Sequence, residues 1–181
     1  TGQLYSADSE NMIMLYLEFG MAQKYTDDLS KNVKRGNLAK MKQGGWCGAA
    51  PVGYINRLDD HTVIPEPDRF HLIRKTFDLI LAGTHSPEEA RRTLNDDWGF
   101  RSLKRKKSGG KPLAKSSMYK LVRNPFYYGL IRRTSNDKTL EYQGSHQAML
   151  SEEEFYRLQS IIGEPVPRPR KMSFAFSEET I

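Results

Sequence analysis

The stretch whose reading decides the fold is GFRSLKRKKSGGKPLAKSSMYKLVRNP, Gly99 to Pro125. It carries nine bases, Arg101, Lys104, Arg105, Lys106, Lys107, Lys111, Lys115, Lys120 and Arg123, and no acid. Its second half has the spacing of a short helix. Met118, Leu121 and Val122 fall on one side, and Lys115, Ser116 or Ser117, Tyr119, Lys120 and Arg123 remain on the other. Ser116 or Ser117 can cap this helix, and Pro125 ends it, because the residue before a proline is pushed out of the helical region. A solvated face ordinarily mixes charges of both signs, so an acid-free basic helix fed by a basic, Gly-rich loop points to a polyanion.

Upstream, SPEEARRTLNDDWG opens with Ser86, then Pro87, with Glu89 three residues after the serine. That is a capping box with proline at the first helical position, and it predicts a helix over 87–98. Ala90 and Leu94 form its buried face and Trp98 closes the core. Before it, Phe70, Ile73, Phe77 and Leu81 mark a helix over 68–81, ended by Gly83. Three short helices therefore stand in order, with a long charged connection before the last. This is the pattern of a helix-turn-helix variant whose third helix lies in the major groove of DNA. There, Lys and Arg reach guanine acceptors, and Ser or Tyr contact bases or phosphates. The loop bases would sit on phosphates, where released counterions add affinity without sequence information.

Further upstream, residues 8–43 read as one long helix. Met12, Leu15, Phe19, Ala22, Thr26, Leu29 and Val33 follow alternating steps of three and four, and no proline interrupts them. A helix of that length, roughly 50 Å, exceeds what a small domain can cover. Part of it should project, and its apolar N-terminal half should pack on something. Charge is segregated along it. Thr1–Asp28 holds five acids and one base, whereas Leu29–Leu58 holds six bases and no acid. Lys34, Arg35 and Lys40 are the candidates there for phosphate contact. QGGWCGAAPVGY, Gln43–Tyr54, is an extended connector rich in small residues, and VGYINRLDDHTVIPE reads as a hairpin turning near Asp59-Asp60.

Downstream, FYYGLIRRT and KTLEYQG read as two strands around Ser135-Asn136-Asp137. SEEEFYRLQSIIG reads as a last helix capped by Ser151 with Glu154, and EPVPRPRK as a basic, proline-rich linker. The architecture expected is α+β and mainly helical: a long N-terminal helix, then a helix-turn-helix-like three-helix domain with short β-hairpins. The divisions fall at 1–43, 44–54, 55–144 and 145–181.

Composition bounds the rest. The chain has 181 residues, 38% hydrophobic, with a formal net charge of +6 and one cysteine, Cys47. A single cysteine excludes an internal disulfide framework and any multi-cysteine metal site. No apolar run approaches a membrane span of about 20 residues, and a reducing, cytoplasmic setting is expected.

These motifs resemble the large serine recombinases, the family of phage integrases and transposon recombinases. LSKNVKRG (Leu29–Gly36) is similar to the family's long helix after the catalytic domain. Gly48, Pro51, Gly53 and Tyr54 resemble its G-x-x-P-x-G-Y connector. IRKTFDLILAGTHSPEEARRTLNDDWGF resembles the first two helices of its DNA-binding domain, and SSMYKLVRNPFYYGLI its closing Asn-Pro-x-Tyr-x-Gly pattern. SHQAMLSEEEFYRLQ is similar to the segment that leads into its zinc ribbon. The resemblance implies a parent enzyme that integrates, excises or transposes DNA at attachment or transposon-end sites, as a dimer assembling into a tetramer. It implies a catalytic serine before Thr1 and zinc bound after SFAFSEETI, so the chain reads as a fragment without its own catalytic residues or cofactor. Ser6, Ser9 and Ser30 are not in the catalytic motif. Two other readings remain on the residues alone: a winged-helix regulator dimerising through the long helix, and an RNA-binding factor whose loop touches phosphates only. The target sequence is not legible in either case.

Overall fold

Two of the helices begin at a complete capping box in the computed structural model, which describes residues 9–104, 109–135 and 138–163. Ser86 accepts from the Glu89 N–H, and the Glu89 carboxylate accepts from the Ser86 N–H, at the start of α3 (Pro87–Arg92). Ser151 and Glu154 repeat the arrangement at the start of α5 (Glu152–Ile161). The other helices are α1 (Ser9–Lys42), α2 (Pro67–Leu81) and α4 (Lys115–Val122). Two antiparallel hairpins complete the fold: β1 (Tyr54–Asn56) with β2 (Val63–Pro65), and β3 (Leu130–Ser135) with β4 (Lys138–Gln143).

The core lies where α2, α3, α4 and α5 converge. Ile73, Phe77 and Ile80 of α2 meet Ala90, Leu94, Met118, Leu121, Val122, Phe126, Tyr127, Phe155 and Leu158, all buried. Each large apolar side chain removed from water contributes about 1.5–3 kcal/mol before entropy is counted. Tyr127 is buried with its ring edge-on to Phe77, and its hydroxyl donates to the Val52 carbonyl at 2.8 Å. Burial pushes that phenol far above the ordinary tyrosine range.

The end of α1 is joined to this body by a Schellman turn. Gly44, at φ +78°, donates to the Met41 carbonyl, and Gly45 donates to that of Lys40. The Gly44 carbonyl then accepts from both the N–H and the hydroxyl of Ser145, at 2.9 and 3.0 Å. The connector is pinned to the core through Trp46, Ala50, Val52 and Tyr54. The Trp46 ring stands edge-on to Phe126 with centroids 4.8 Å apart, its indole N–H donates to Ala49, and Tyr54 is buried and donates to Gln147.

Four expectations need correction. The N-cap of α4 is Ala114, with no side-chain bond, rather than Ser116 or Ser117. The helix starts at Lys115, which places those serines inside its first turn, because the preceding Leu113 is held by hydrogen bonds from another element. The segment after Pro125 is first a 3₁₀ turn, Pro125–Tyr128, and the strand begins only at Leu130. Asn124 caps that turn by accepting from the Phe126 N–H, and Gly129 leaves it at φ +94°. The helix expected over 87–98 is α-helical only to Arg92 and continues as a π-helical turn, Thr93–Asp97. The core is closed by the fully buried Phe100, whereas Trp98 stays half-buried with the Lys75 ammonium 6.0 Å from its ring. The N-terminal half of α1 projects as expected, with Ile13, Leu17, Phe19 and Tyr25 63–71% exposed on this chain. Residues 1–8, the tip Asn136-Asp137, the basic linker and SFAFSEETI lie outside the described residues.

Candidate nucleic-acid interface

The basic face begins with the burial of its opposite side. Met118, Leu121 and Val122 are at most 4% exposed, which fixes the inner face of α4. Lys115, Ser116, Lys120 and Arg123 are left exposed, with Tyr119 and Ser117 half-buried beside them. The Arg123 guanidinium lies over the Tyr119 ring at 5.7 Å, a cation–π contact that steadies both outward side chains. Glu88 of α3 feels the charge of Lys115 and is already engaged. Arg91 holds it through two hydrogen bonds of 2.7 and 3.0 Å, and those bonds, with lesser help from the charges of Arg91, Lys115 and Arg92, pull its carboxyl below the usual range.

The loop that feeds α4 is closed at its neck. Ser102 N–H donates to the Lys111 carbonyl at 2.8 Å, Gly110 N–H to the Ser102 carbonyl at 2.9 Å, and Lys111 N–H to the Ser102 hydroxyl at 3.2 Å. Gly109 and Gly110 make this return at φ +101° and +66°. A Cβ at Gly109 would fall 2.0 Å from the Leu103 carbonyl oxygen, so only glycine fits. Lys104 and Lys111 are exposed at the neck. Arg101 is turned partly inward, its guanidinium donating to the carbonyls of Asn95 and Phe100 at 3.0 and 2.7 Å. Arg105, Lys106 and Lys107 lie outside the described residues.

The three candidates on α1 stand apart from α4. Lys34 and Arg35 are exposed, the latter donating to Asn32, and the Lys40 ammonium donates to the His61 carbonyl in the β1–β2 turn at 2.9 Å. The fold instead brings Arg132 and Arg133 of β3 beside the end of α1. They line a cleft of about 270 Å³ with Asn37, Met41, Trp46 and Cys47. Sequence reasoning took these arginines only as strand residues. Their adjacency to α1 depends on the Gly44–Ser145 joint, which no local pattern announces. Asn95 and Gln159, two buried amides that bond α4 or its lead-in, were missed for the same reason.

Among the described residues no helix is long and apolar enough to cross a membrane. No three His, Cys, Asp or Glu side chains there come together as metal ligands, so these residues do not fit a zinc site. The Cys47 thiol, half-buried, donates to the Asn37 carbonyl.

The family model described as Recombinase matches residues 67–164, more than half of the chain. Two solved structures share the fold. One is the crystal structure of an LSR–DNA complex, with a TM-score of 0.54 at 19% identity, covering 72% of this chain and 37% of that one. The other comes from work on the sequence requirements of the Listeria innocua prophage attP site. Its TM-score is 0.55 at 21% identity, covering 72% of this chain and 51% of that one. The chain thus aligns with about a third to a half of the length of these structures. No curated protein matches it.

Proposed function

The chain belongs to the Recombinase family, and on that premise we propose that it binds double-stranded DNA and selects among sequences with α4. The observation that carries this reading is the basic face of α4, free of acids from Gly99 to Pro125 and backed by a buried seam. In this reading α2, α3 and α4 act as a helix-turn-helix variant, and α4 lies in the major groove. Lys115, Ser116, Ser117, Tyr119, Lys120 and Arg123 face the bases and flanking phosphates. Lys104 and Lys111 at the neck of the loop face the phosphate backbone, as do Lys34 and Arg35 of α1. The packed connector, rich in small residues, runs close to the minor groove between those two regions.

Family membership supports a wider role. The chain supplies site recognition to a serine recombinase that exchanges DNA strands at attachment or transposon-end sites in the cytoplasm, with zinc and the catalytic serine held elsewhere in the recombinase. The exposed apolar face of α1 suits self-association, in keeping with a recombinase that works as a dimer and a tetramer.

Selection from a pool of random duplexes tests the reading. The chain should enrich one sequence family over successive rounds, and duplex RNA should compete poorly for the recovered DNA. A pool that stays random while the chain still binds it would reduce the function to charge alone. Equal competition by RNA would transfer it to an RNA partner.

A further inference from the structure

Four polar residues are buried among the described residues: Glu66, Thr76, Asn95 and Gln159. Two are satisfied within their own helical turn. The Thr76 hydroxyl donates to Leu72, and Glu66 pairs with Arg69. The other two reach across to α4 or its lead-in, one at each end. Asn95, from the π-helical turn, grips Leu113 by both backbone groups. Its amide donates to the Leu113 carbonyl at 2.9 Å, and its oxygen accepts from the Leu113 N–H at 2.8 Å. Arg91 adds a third bond to the same carbonyl at 3.1 Å. At the other end, the Gln159 amide of α5 donates to the carbonyl of Val122, the last residue of α4, at 2.7 Å.

That second carbonyl is vacant by design of the sequence after it. Position 125 is proline and has no N–H, and the Phe126 N–H is taken by the Asn124 side chain at 3.1 Å. No helical donor reaches Val122, so Gln159 supplies one. At the other end Ala114 offers no capping side chain, and Asn95 holds the residue just before it.

We propose that Asn95 and Gln159 are positioning residues for DNA selection: the two buried amides clamp α4 at both ends and fix the height and rotation at which Lys115, Tyr119 and Lys120 meet the bases. The inference rests on the reading of α4 as the DNA-facing helix. Apolar packing of Met118, Leu121 and Val122 is non-directional and tolerates small slides. Hydrogen bonds are directional, and buried ones are costly to leave unmade, so they specify one placement. An eight-residue helix, about 12 Å long, has little else to set its register. Base readout by bidentate contact fails with a displacement of well under the width of a base edge, whereas phosphate attraction tolerates it. The π-helical turn that presents Asn95 is a rare conformation, frequent at functional sites.

The test uses the whole chain, the duplex recovered by selection, and a scrambled duplex of the same length and composition, at one salt concentration. Dissociation constants are measured by fluorescence anisotropy for wild type, Asn95→Leu, Gln159→Met and a control, Ile80→Val, with thermal midpoints for each. Ile80 is fully buried in α2 and forms neither clamp. Asn95→Leu and Gln159→Met should each shrink the scrambled-to-selected ratio about tenfold while binding to the scrambled duplex changes less than about twofold. Ile80→Val should lower the midpoint and leave the ratio alone. Should Asn95→Leu fail to fold, Gln159→Met, which conserves length and volume, decides by itself. Ratios unchanged in the amide variants would overturn the clamp and leave DNA binding standing. Wild type binding both duplexes equally would overturn the reading of α4 and the clamp with it.

Discussion

Arg74 of α2 and Glu154 of α5 meet in a two-pronged ion pair, with N–O distances of 2.6 and 2.8 Å. The same guanidinium donates to the Met149 carbonyl at 2.7 Å and approaches Asp78 at 3.0 Å, so one arginine ties α5 and its lead-in to α2. Glu154 also completes the capping box of α5. Hydrogen bonds from Arg74 are the main reason its carboxyl falls to about 2. An unfolded glutamate titrates near 4.3, so the pair contributes stability that is fully present above about pH 4.3 and is lost as pH falls through about 2.

Glu154→Gln removes this charge. With both partners about a third exposed, solvent screens the pair, and the variant should lose about 1–2 kcal/mol at pH 7, cap included. The gap between the two proteins, read from denaturant midpoints, should narrow between pH 4 and pH 2 as the wild-type carboxylate protonates. A gap that stays constant across that range would place the stabilisation in packing instead.

Gly44 carries the joint between α1 and the rest of the chain. Its φ is +78°, and a Cβ there would lie 2.9 Å from the Gln143 carbonyl oxygen and 3.0 Å from the Ser145 nitrogen, both backbone atoms. Gly44→Ala should cost about 1–3 kcal/mol. It should also speed amide exchange at Ser145, whose N–H donates to Gly44. Gly36→Ala is the contrast: nothing lies within 4 Å of its Cβ, and a helix interior favours alanine by about 1 kcal/mol.

Lys104 and Lys111 stand exposed at the closed neck of the basic loop. Replacing both with Ala should lower the slope of log affinity against log salt by roughly 0.9 for each lost phosphate contact, on any duplex. An unaltered slope in the double variant would remove the neck from the interface.

Self-association is expected through α1, where Ile13 and Leu17, four residues apart on one face, are 69% and 63% exposed on adjoining turns. Sedimentation equilibrium should show a concentration-dependent dimer, and Ile13→Asp with Leu17→Asp should return it to monomer without shifting the thermal midpoint. A wild-type monomer at all concentrations would leave that face without a role in pairing this chain.

Much of the fold was legible because local chemistry declares it. Ser86-Pro87-Glu89 and Ser151-Glu154 announce their helix starts, and the Met118, Leu121, Val122 spacing marks the inner face of α4. What the sequence hid depends on contacts distant along the chain. Asn95 lies 18 residues from Leu113 and Gln159 lies 37 from Val122. A lone Asn in NDD, or Gln in RLQS, carries no mark of a long-range clamp. The misplaced cap has the same origin, since the Asn95 grip on Leu113 sets where α4 begins. The basic candidates were legible as types and less so as placements: Arg101 and Lys40 spend hydrogen bonds on backbone carbonyls, while Arg132 and Arg133 reach the end of α1 only through the Gly44 joint.

The central claim is that α4 reads sequence while the loop supplies attraction, and one competition measurement tests it most directly. Lys120→Ala and Lys104→Ala are each titrated against the selected duplex and random duplex at one salt concentration. The account predicts that Lys120→Ala loses about 1–3 kcal/mol on the selected duplex and far less on random DNA. Lys104→Ala should lose similar factors on both. Equal losses of Lys120→Ala on the two duplexes would contradict it.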